Sequence, residues 1–309
     1  MPVSAAGSEL DAEDDILAMF GIGRDQLLGS GGESEVFALD EQRVLRLYRR
    51  PHSASDRTVG QLRELFASLE RVDVGLEVPK IIDVGQRNGR FFTVDRRFSG
   101  QCMSPWLPHA NLDERRQALT SFLDATERLH RLPSPVPGFA RLVGERAPLR
   151  FGSLGELLHN MLAERVETSR AQLEQDLPTV GQVWSRLHAD LAQRVVAPAL
   201  VHGDVCPPNT YITHQGERWE VTGIGDFSPH TVNGDPMMDV TGAVAFLELE
   251  PYPEAASDSA WLEALAVQRG GPEVSHWIDV YRRFYGFYFS DSSQFDPALY
   301  AWCLRQLRR

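Results

Sequence analysis

Residues 200–212 read Leu200-Val201-His202-Gly203-Asp204-Val205-Cys206-Pro207-Pro208-Asn209-Thr210-Tyr211-Ile212, a polar loop held between two short apolar runs. Runs of this kind read as strands, and a loop fixed at both ends is where a fold can hold reactive side chains in place. Asp204 and Asn209 lie five residues apart within it. Seventeen residues beyond Asn209, the run Val221 to Ile224 delivers a second carboxylate, Asp226, in Gly225-Asp226-Phe227-Ser228. Two carboxylates and an amide suit phosphoryl transfer. One carboxylate accepts or orients the proton of an acceptor hydroxyl, while an Asn oxygen and the other carboxylate hold Mg2+ against nucleotide phosphates.

Upstream, Leu27 to Arg50 carries a glycine cluster (Gly29, Gly31, Gly32), the alternation Val36 to Leu39, an Asp40-Glu41-Gln42 turn and the run Val44 to Tyr48. The pattern predicts strand, tight loop, strand, turn, strand. Val59, Leu62, Leu65, Phe66 and Leu69 fall at helical spacing over residues 56–71, and the helix must end before Val78-Pro79. Ile81 to Gly85 and Arg90 to Val94 flank Asn88-Gly89, a hairpin signal. After Gly100 the pattern changes to amphipathic helices over 112–131, 153–170 and 176–194, with helices resuming from Met237. The expected fold is α+β and two-lobed. Residues 16–99 form a small, mostly antiparallel sheet with one helix, and residues 100–309 a larger, mainly helical lobe that carries the 200–212 loop.

The His-Gly-Asp triplet followed by Asn five residues later resembles the signature loop of the aminoglycoside phosphotransferase and choline kinase superfamily, small-molecule kinases related in fold to protein kinases. The resemblance spans roughly residues 27–246. It implies ATP or GTP as phosphate donor, Mg2+ as cofactor, Asp204 as catalytic base, and Asn209 and Asp226 as metal ligands. By the same resemblance Gly29, Ser30, Gly31 and Gly32 cover the nucleotide, where glycine lets backbone N–H groups approach phosphate. Arg46 takes the place of the phosphate-binding lysine, and Glu64, with Glu70 as a register alternative, is the helix glutamate that pairs with it. Asp95, Arg97 and Phe98 belong to the hinge that meets the base. Asp239, in Gly234-Asp235-Pro236-Met237-Met238-Asp239, braces the loop.

Of 31 basic residues only Lys80 is a lysine, and it lies beyond the helix and Pro79, so the phosphate cation must be Arg46. A guanidinium keeps the charge but replaces a compact ammonium with a broad fork. The net charge of -12 argues against nucleic-acid or anionic-membrane partners. Five of the acids (Glu9, Asp11, Glu13, Asp14, Asp15) fall in residues 1–15, expected to be a structureless solvating tail, with Asp14-Asp15 capping the apolar run Ile16, Leu17, Met19 and Phe20 as a short helix. Three scattered cysteines, no targeting pattern and no long apolar stretch suit a cytoplasmic protein.

His202 reads as a support for the loop, Cys206 as a small filler, and Trp277, Tyr281, Phe284, Tyr285 and Tyr288 as core at helical spacing. Glu248, Glu250, Glu254 and Asp258 are either a solvated acidic loop or the wall of a pocket for a cationic acceptor. The expected activity is transfer of a γ-phosphate to a hydroxyl of a small acceptor such as an aminoglycoside or other antibiotic. The alternatives are a metabolic kinase for a sugar, choline-like amine or amino-acid alcohol, and a nucleotide-binding pseudokinase.

Overall fold

The computed structural model describes residues 5–31, 34–49 and 55–309. Helix α1 (Ala5–Phe20) leads into β1 (Leu27–Ser30), β2 (Ser34–Ala38) and β3 (Arg43–Tyr48). Helix α2 (Asp56–Leu69) follows, then β4 (Ile81–Arg87) and β5 (Arg90–Arg96). The five strands form one antiparallel sheet in the order β1-β2-β3-β5-β4. Alternation along β3 sorts its side chains: Leu45 and Leu47 join Phe37, Phe92 and Val94 in a core under α1, while Val44, Arg46 and Tyr48 take the opposite face.

Over residues 5–15 a structureless tail is not what forms, and residues 1–4 of that expectation lie outside the described residues. Asp14 and Asp15 lie inside α1, whose Ile16 and Leu17 are buried against the sheet. Glu13 is buried as well and holds Arg90 at 2.7 Å together with Arg24. One apolar stripe is enough to dock an otherwise acidic helix, and the carboxylate beside that stripe is spent on ion pairs rather than on solvent.

The second lobe starts with β6 (Gln101–Cys102), α3 (Met103–Trp106) and α4 (Leu112–Leu129), the last closed at its N-terminus by a reciprocal Asn111–Glu114 capping box. Then come β7 (Phe139–Arg141), β8 (Leu149–Phe151), α5 (Leu154–Asp176) and α6 (Val180–Ala192). After them β9 (Ala199–Val201), β10 (Thr210–Gln215), β11 (Arg218–Ile224) and β12 (Val232–Gly234) frame the loops of interest. Helices α7 (Met237–Ala245), α8 (Ala255–Gly270), α9 (Glu273–Tyr288) and α10 (Pro297–Leu307) complete the chain. The C-terminal aromatics are core: Tyr281, Phe284, Tyr285 and Tyr288 are buried, with Trp277 packed beside them.

Two small sheets within this lobe position the candidate residues. One has the order β11-β10-β6 and the other β8-β7-β12-β9. Of the second only β9 was visible in the sequence, because strands of three residues are too short to show alternation. Among the described residues no helix is long and apolar enough to cross a membrane.

Candidate active site

Strand β9 ends at Val201, paired with Val232 of β12, and the chain then turns through His202 to Asn209. Asp239, fully buried in the first turn of α7, holds that turn: its two oxygens accept the N–H groups of His202 and Gly203, each at 2.8 Å. His130 Nε2 lies 3.2 Å from the same carboxylate. Gly203 has φ +82°, and a Cβ there would stand 2.3 Å from the His230 carbonyl oxygen, so no other residue fits. His202 is buried and accepts the Asp204 N–H at Nδ1 (3.2 Å); its Nε2–H therefore donates to the Gly225 carbonyl at 2.8 Å. The imidazole ties the loop to the strand end that delivers Asp226, the supporting role read from the sequence.

Asn209 donates from Nδ2 to both the backbone carbonyl and the carboxylate of Asp204, each at 3.0 Å. With its donors spent there, Asn209 presents its amide oxygen as the remaining ligand atom. The Gly225 N–H donates to the Asn209 carbonyl at 2.8 Å, which sets Asp226 beside the pair. Asp226 has φ +65°, a region that non-glycine residues seldom occupy, and its side chain is half exposed. The structure thus brings Asp204, Asn209 and Asp226 together.

Arg46 reaches them from the other lobe. Its Nη1 donates to Asp226 Oδ1 at 2.7 Å and to Ser34 Oγ at 3.2 Å, and its Nε to Asp95 Oδ2 at 3.3 Å. Burial by itself would weaken the guanidinium's hold on its proton, but Asp226, Tyr48 and Asp95 outweigh it and raise the pKa. Burial pushes the Asp95 carboxyl up, with Arg46 opposing.

The expected helix glutamate is absent from this cluster. Glu64 is exposed on the outer side of α2, and Glu70 engages Lys80 at 3.2 Å and Arg96 at 3.5 Å instead. The face that α2 turns inward carries Thr58, Leu62 and Phe66, which line a cavity of about 60 Å3 with Arg46, Asp95 and Asp226. Glu64, two residues beyond Leu62, is on the far side of a 3.6-residue turn.

Other assignments divide. Gly29 and Ser30 lie on the exposed β1, where the Arg49 guanidinium meets the Ser30 hydroxyl, and the Gly31 N–H closes the hairpin on the Ser34 carbonyl at 2.9 Å. Gly32 lies outside the described residues. The Arg97 N–H donates to the Gln42 carbonyl at 2.8 Å and its guanidinium to the Asp40 carbonyl at 3.1 Å, so both of these donors are spent on the β2–β3 turn. Phe98 stacks on Tyr211, centroids 4.6 Å apart, and covers Gly223 and Gly225, whose missing Cβ atoms make room for its ring. Tyr211 was overlooked; its place two residues after Asn209 on an alternating strand was the available signal.

The acids after residue 247 do not line a pocket together. Glu248 binds Arg282, Trp302 and Gln306; Glu250 accepts from Ser104 at 2.5 Å; Asp258 is buried against Arg115 at 2.8 Å and Tyr252. Cys206 has its thiol pushed well up by burial, reinforced by the Asp204 carboxylate, which leaves it a filler rather than a nucleophile.

No cluster of three His, Cys, Asp or Glu side chains that could hold a metal exists among the described residues. Asn209 and Asp226 offer two hard oxygen ligands, which fits Mg2+, an ion that commonly takes one or two protein ligands and completes its shell with phosphate and water.

No curated protein matches this sequence. Among solved structures the chain is similar to a thermostable variant of the aminoglycoside phosphotransferase APH(4)-Ia in ternary complex with ADP and hygromycin B. The TM-score is 0.70 at 17% identity, covering 96% of this chain and 98% of that one. It is also similar to APH(2")-IIIa with GDP and kanamycin, TM-score 0.65 at 17% identity over 97% of each chain. A third, ADP-bound APH(2'')-Ib, has a TM-score of 0.59 at 15% identity over 96% of each. The fold is therefore kinase-like. The model of the phosphotransferase enzyme family matches residues 26–277, and the chain belongs to that family of phosphotransferases.

Proposed function

We propose that the protein is a small-molecule kinase that moves the γ-phosphoryl group of ATP or GTP to a hydroxyl of a small acceptor. The observation that carries this reading is the meeting of Asp204, Asn209 and Asp226 with Arg46 across the two lobes. Nucleotide-bound relatives of the same fold support the donor class, and their hygromycin B and kanamycin support a small polyhydroxylated acceptor.

Asp204 accepts or orients the proton of the attacking hydroxyl. The hydroxyl oxygen bonds to the γ-phosphorus as the bond from phosphorus to the β-phosphate bridging oxygen breaks, and a nucleoside diphosphate leaves. Asn209 fixes the Asp204 carboxylate, and Asp239 fixes the backbone that carries it. Asn209 and Asp226 would hold Mg2+, which neutralises phosphate charge. Arg46 supplies a permanent cation next to Asp226, and Phe98 with Tyr211 offers an aromatic surface for the base. Catalysis here is positioning and charge neutralisation.

The test is Mg2+-dependent consumption of ATP and GTP against a panel of hydroxylated acceptors, with Asp204→Asn as control. Activity that survives Asp204→Asn, or no turnover and no nucleotide-induced thermal shift, would overturn the reading. A second reading, a nucleotide-binding module without turnover, has one observation behind it: Arg46 is tied to Asp226, the candidate metal ligand. Its signature is a nucleotide-induced shift with no acceptor consumed.

A further inference from the structure

Beside the Asp204 loop the lobe presents a wall of different character. The His230 backbone lies against Gly203, and the His230 Nδ1 and the Tyr288 hydroxyl are 2.6 Å apart. The Arg165 guanidinium stacks over the Tyr288 ring at 4.4 Å and pairs with Asp291 at 3.0 Å. Arg141 enters from the neighbouring strand: it pairs in register with Val232, which in turn pairs with Val201 just before the loop. Residues opposite one another in a sheet share a face, so Arg141 points with Val232 and Val201 toward the layer that holds Tyr288. Arg141, Arg165 and Asp204 all lie within electrostatic reach of the Tyr288 phenol.

The balance of charge on this wall decides its preference. Asp291 is neutralised by Arg165, and Asp190, nearby on α6, by Arg283 at 2.9 Å. Of the acids after residue 247, Glu248, Glu250 and Asp258 are engaged inside the lobe, and Glu254 is exposed at the start of α8. Half-buried Arg141 has no ion-pair or hydrogen-bond partner among the described residues. A polycation would find the Asp291 and Asp190 carboxylates already paired. A half-buried guanidinium without a partner calls for an anion.

Building on the kinase reading, we propose that the acceptor is a small hydroxylated anion, whose carboxylate or phosphate sits on Arg141 beside Tyr288 while its hydroxyl meets Asp204. The bond made and the bond broken are those given above; the acidic group is a handle and takes no part in the transfer.

The experiment compares gluconate and glycerol 3-phosphate with neutral sorbitol and polycationic kanamycin as stimulants of Mg2+-dependent ATP and GTP consumption, in the wild type and in Arg141→Gln and Arg141→Lys. One or both anions should stimulate more than the neutral and cationic probes, and which of them does tells carboxylate from phosphate. Arg141→Gln should raise KM for the anion about tenfold or more with nucleotide KM unchanged, and Arg141→Lys should recover part of the loss. Kanamycin or sorbitol as the best stimulant, or an unchanged anion KM in Arg141→Gln, overturns the proposal and leaves the kinase reading standing. Nucleotide binding without stimulation by either anion overturns it too. Loss of nucleotide binding as well sinks both.

Discussion

Arg46 and Asp95 close an ion pair across neighbouring antiparallel strands, Nε to Oδ2 at 3.3 Å, so the cation that faces Asp226 is braced by its own sheet rather than by a helix. Glu64, the expected brace, is exposed elsewhere. The pair is only partly exposed, so removing the Asp95 charge leaves Arg46 to settle wholly on Asp226. Asp95→Asn should raise nucleotide KM about tenfold, whereas Glu64→Gln should stay within about twofold of wild type. Steady-state kinetics with both variants check this; a Glu64→Gln defect equal to that of Asp95→Asn would restore the helix glutamate to the site.

Asp239 offers a second handle. Its carboxylate accepts two buried N–H groups, from His202 and Gly203, and replacing it with asparagine turns one acceptor into an amide donor facing an N–H. Asp239→Asn should cost about 3 kcal/mol of stability, read from the urea midpoint. It should also lower kcat more than it raises nucleotide KM, because the group it displaces is Asp204. A large stability loss with kcat intact would show the brace to be purely structural.

What could be read from the sequence, and what could not, follows from where the information lies. The meeting of Asp204, Asn209 and Asp226 was legible because short loops at strand ends fix their spacing, and that of Asp239 because α7 opens three residues after β12, so residue order alone carries the geometry. Glu64 was misplaced because the phase of α2 against the sheet is set by tertiary packing. For α2 that packing follows Leu62 and Phe66, which outweigh an acidic residue at the matching count. The Arg46–Asp95 pair left no local trace, since its partners are 49 residues apart and meet only through strand pairing. The acidic stretch at the N-terminus hid how far back the helix over Ile16 to Phe20 extends: charge dominated the composition while Ile16 and Leu17 decided the packing.

Cys206 lies two residues from Asp204, where a reactive thiol would invite a covalent mechanism. Its thiol is pushed well above the ordinary range by burial and by the neighbouring carboxylate, so almost none is thiolate near neutral pH. Iodoacetamide at about pH 7.5 should leave activity intact, and Cys206→Ala should retain at least about half of wild-type kcat. Rapid inactivation protected by nucleotide would show that the thiol is both accessible and ionised.

His230 sets a pH dependence whose sign can be worked out. Burial is the largest influence on its imidazole and lowers the pKa; Arg165 and His202 act in the same direction, and Asp204 and Asp226 oppose them without reversing it. The folded protein therefore takes up the ring proton less readily than the unfolded chain, whose histidines titrate near about 6.5. The stability gained by keeping the ring neutral is complete above that value and is lost as pH falls below it toward the folded-state pKa. Urea midpoints should decline from about pH 7 to pH 5, and His230→Gln should flatten that decline by about 1 kcal/mol while leaving the alkaline side unchanged. Parallel curves for the two proteins would place the acid sensitivity on another group and free His230 for a role in binding alone.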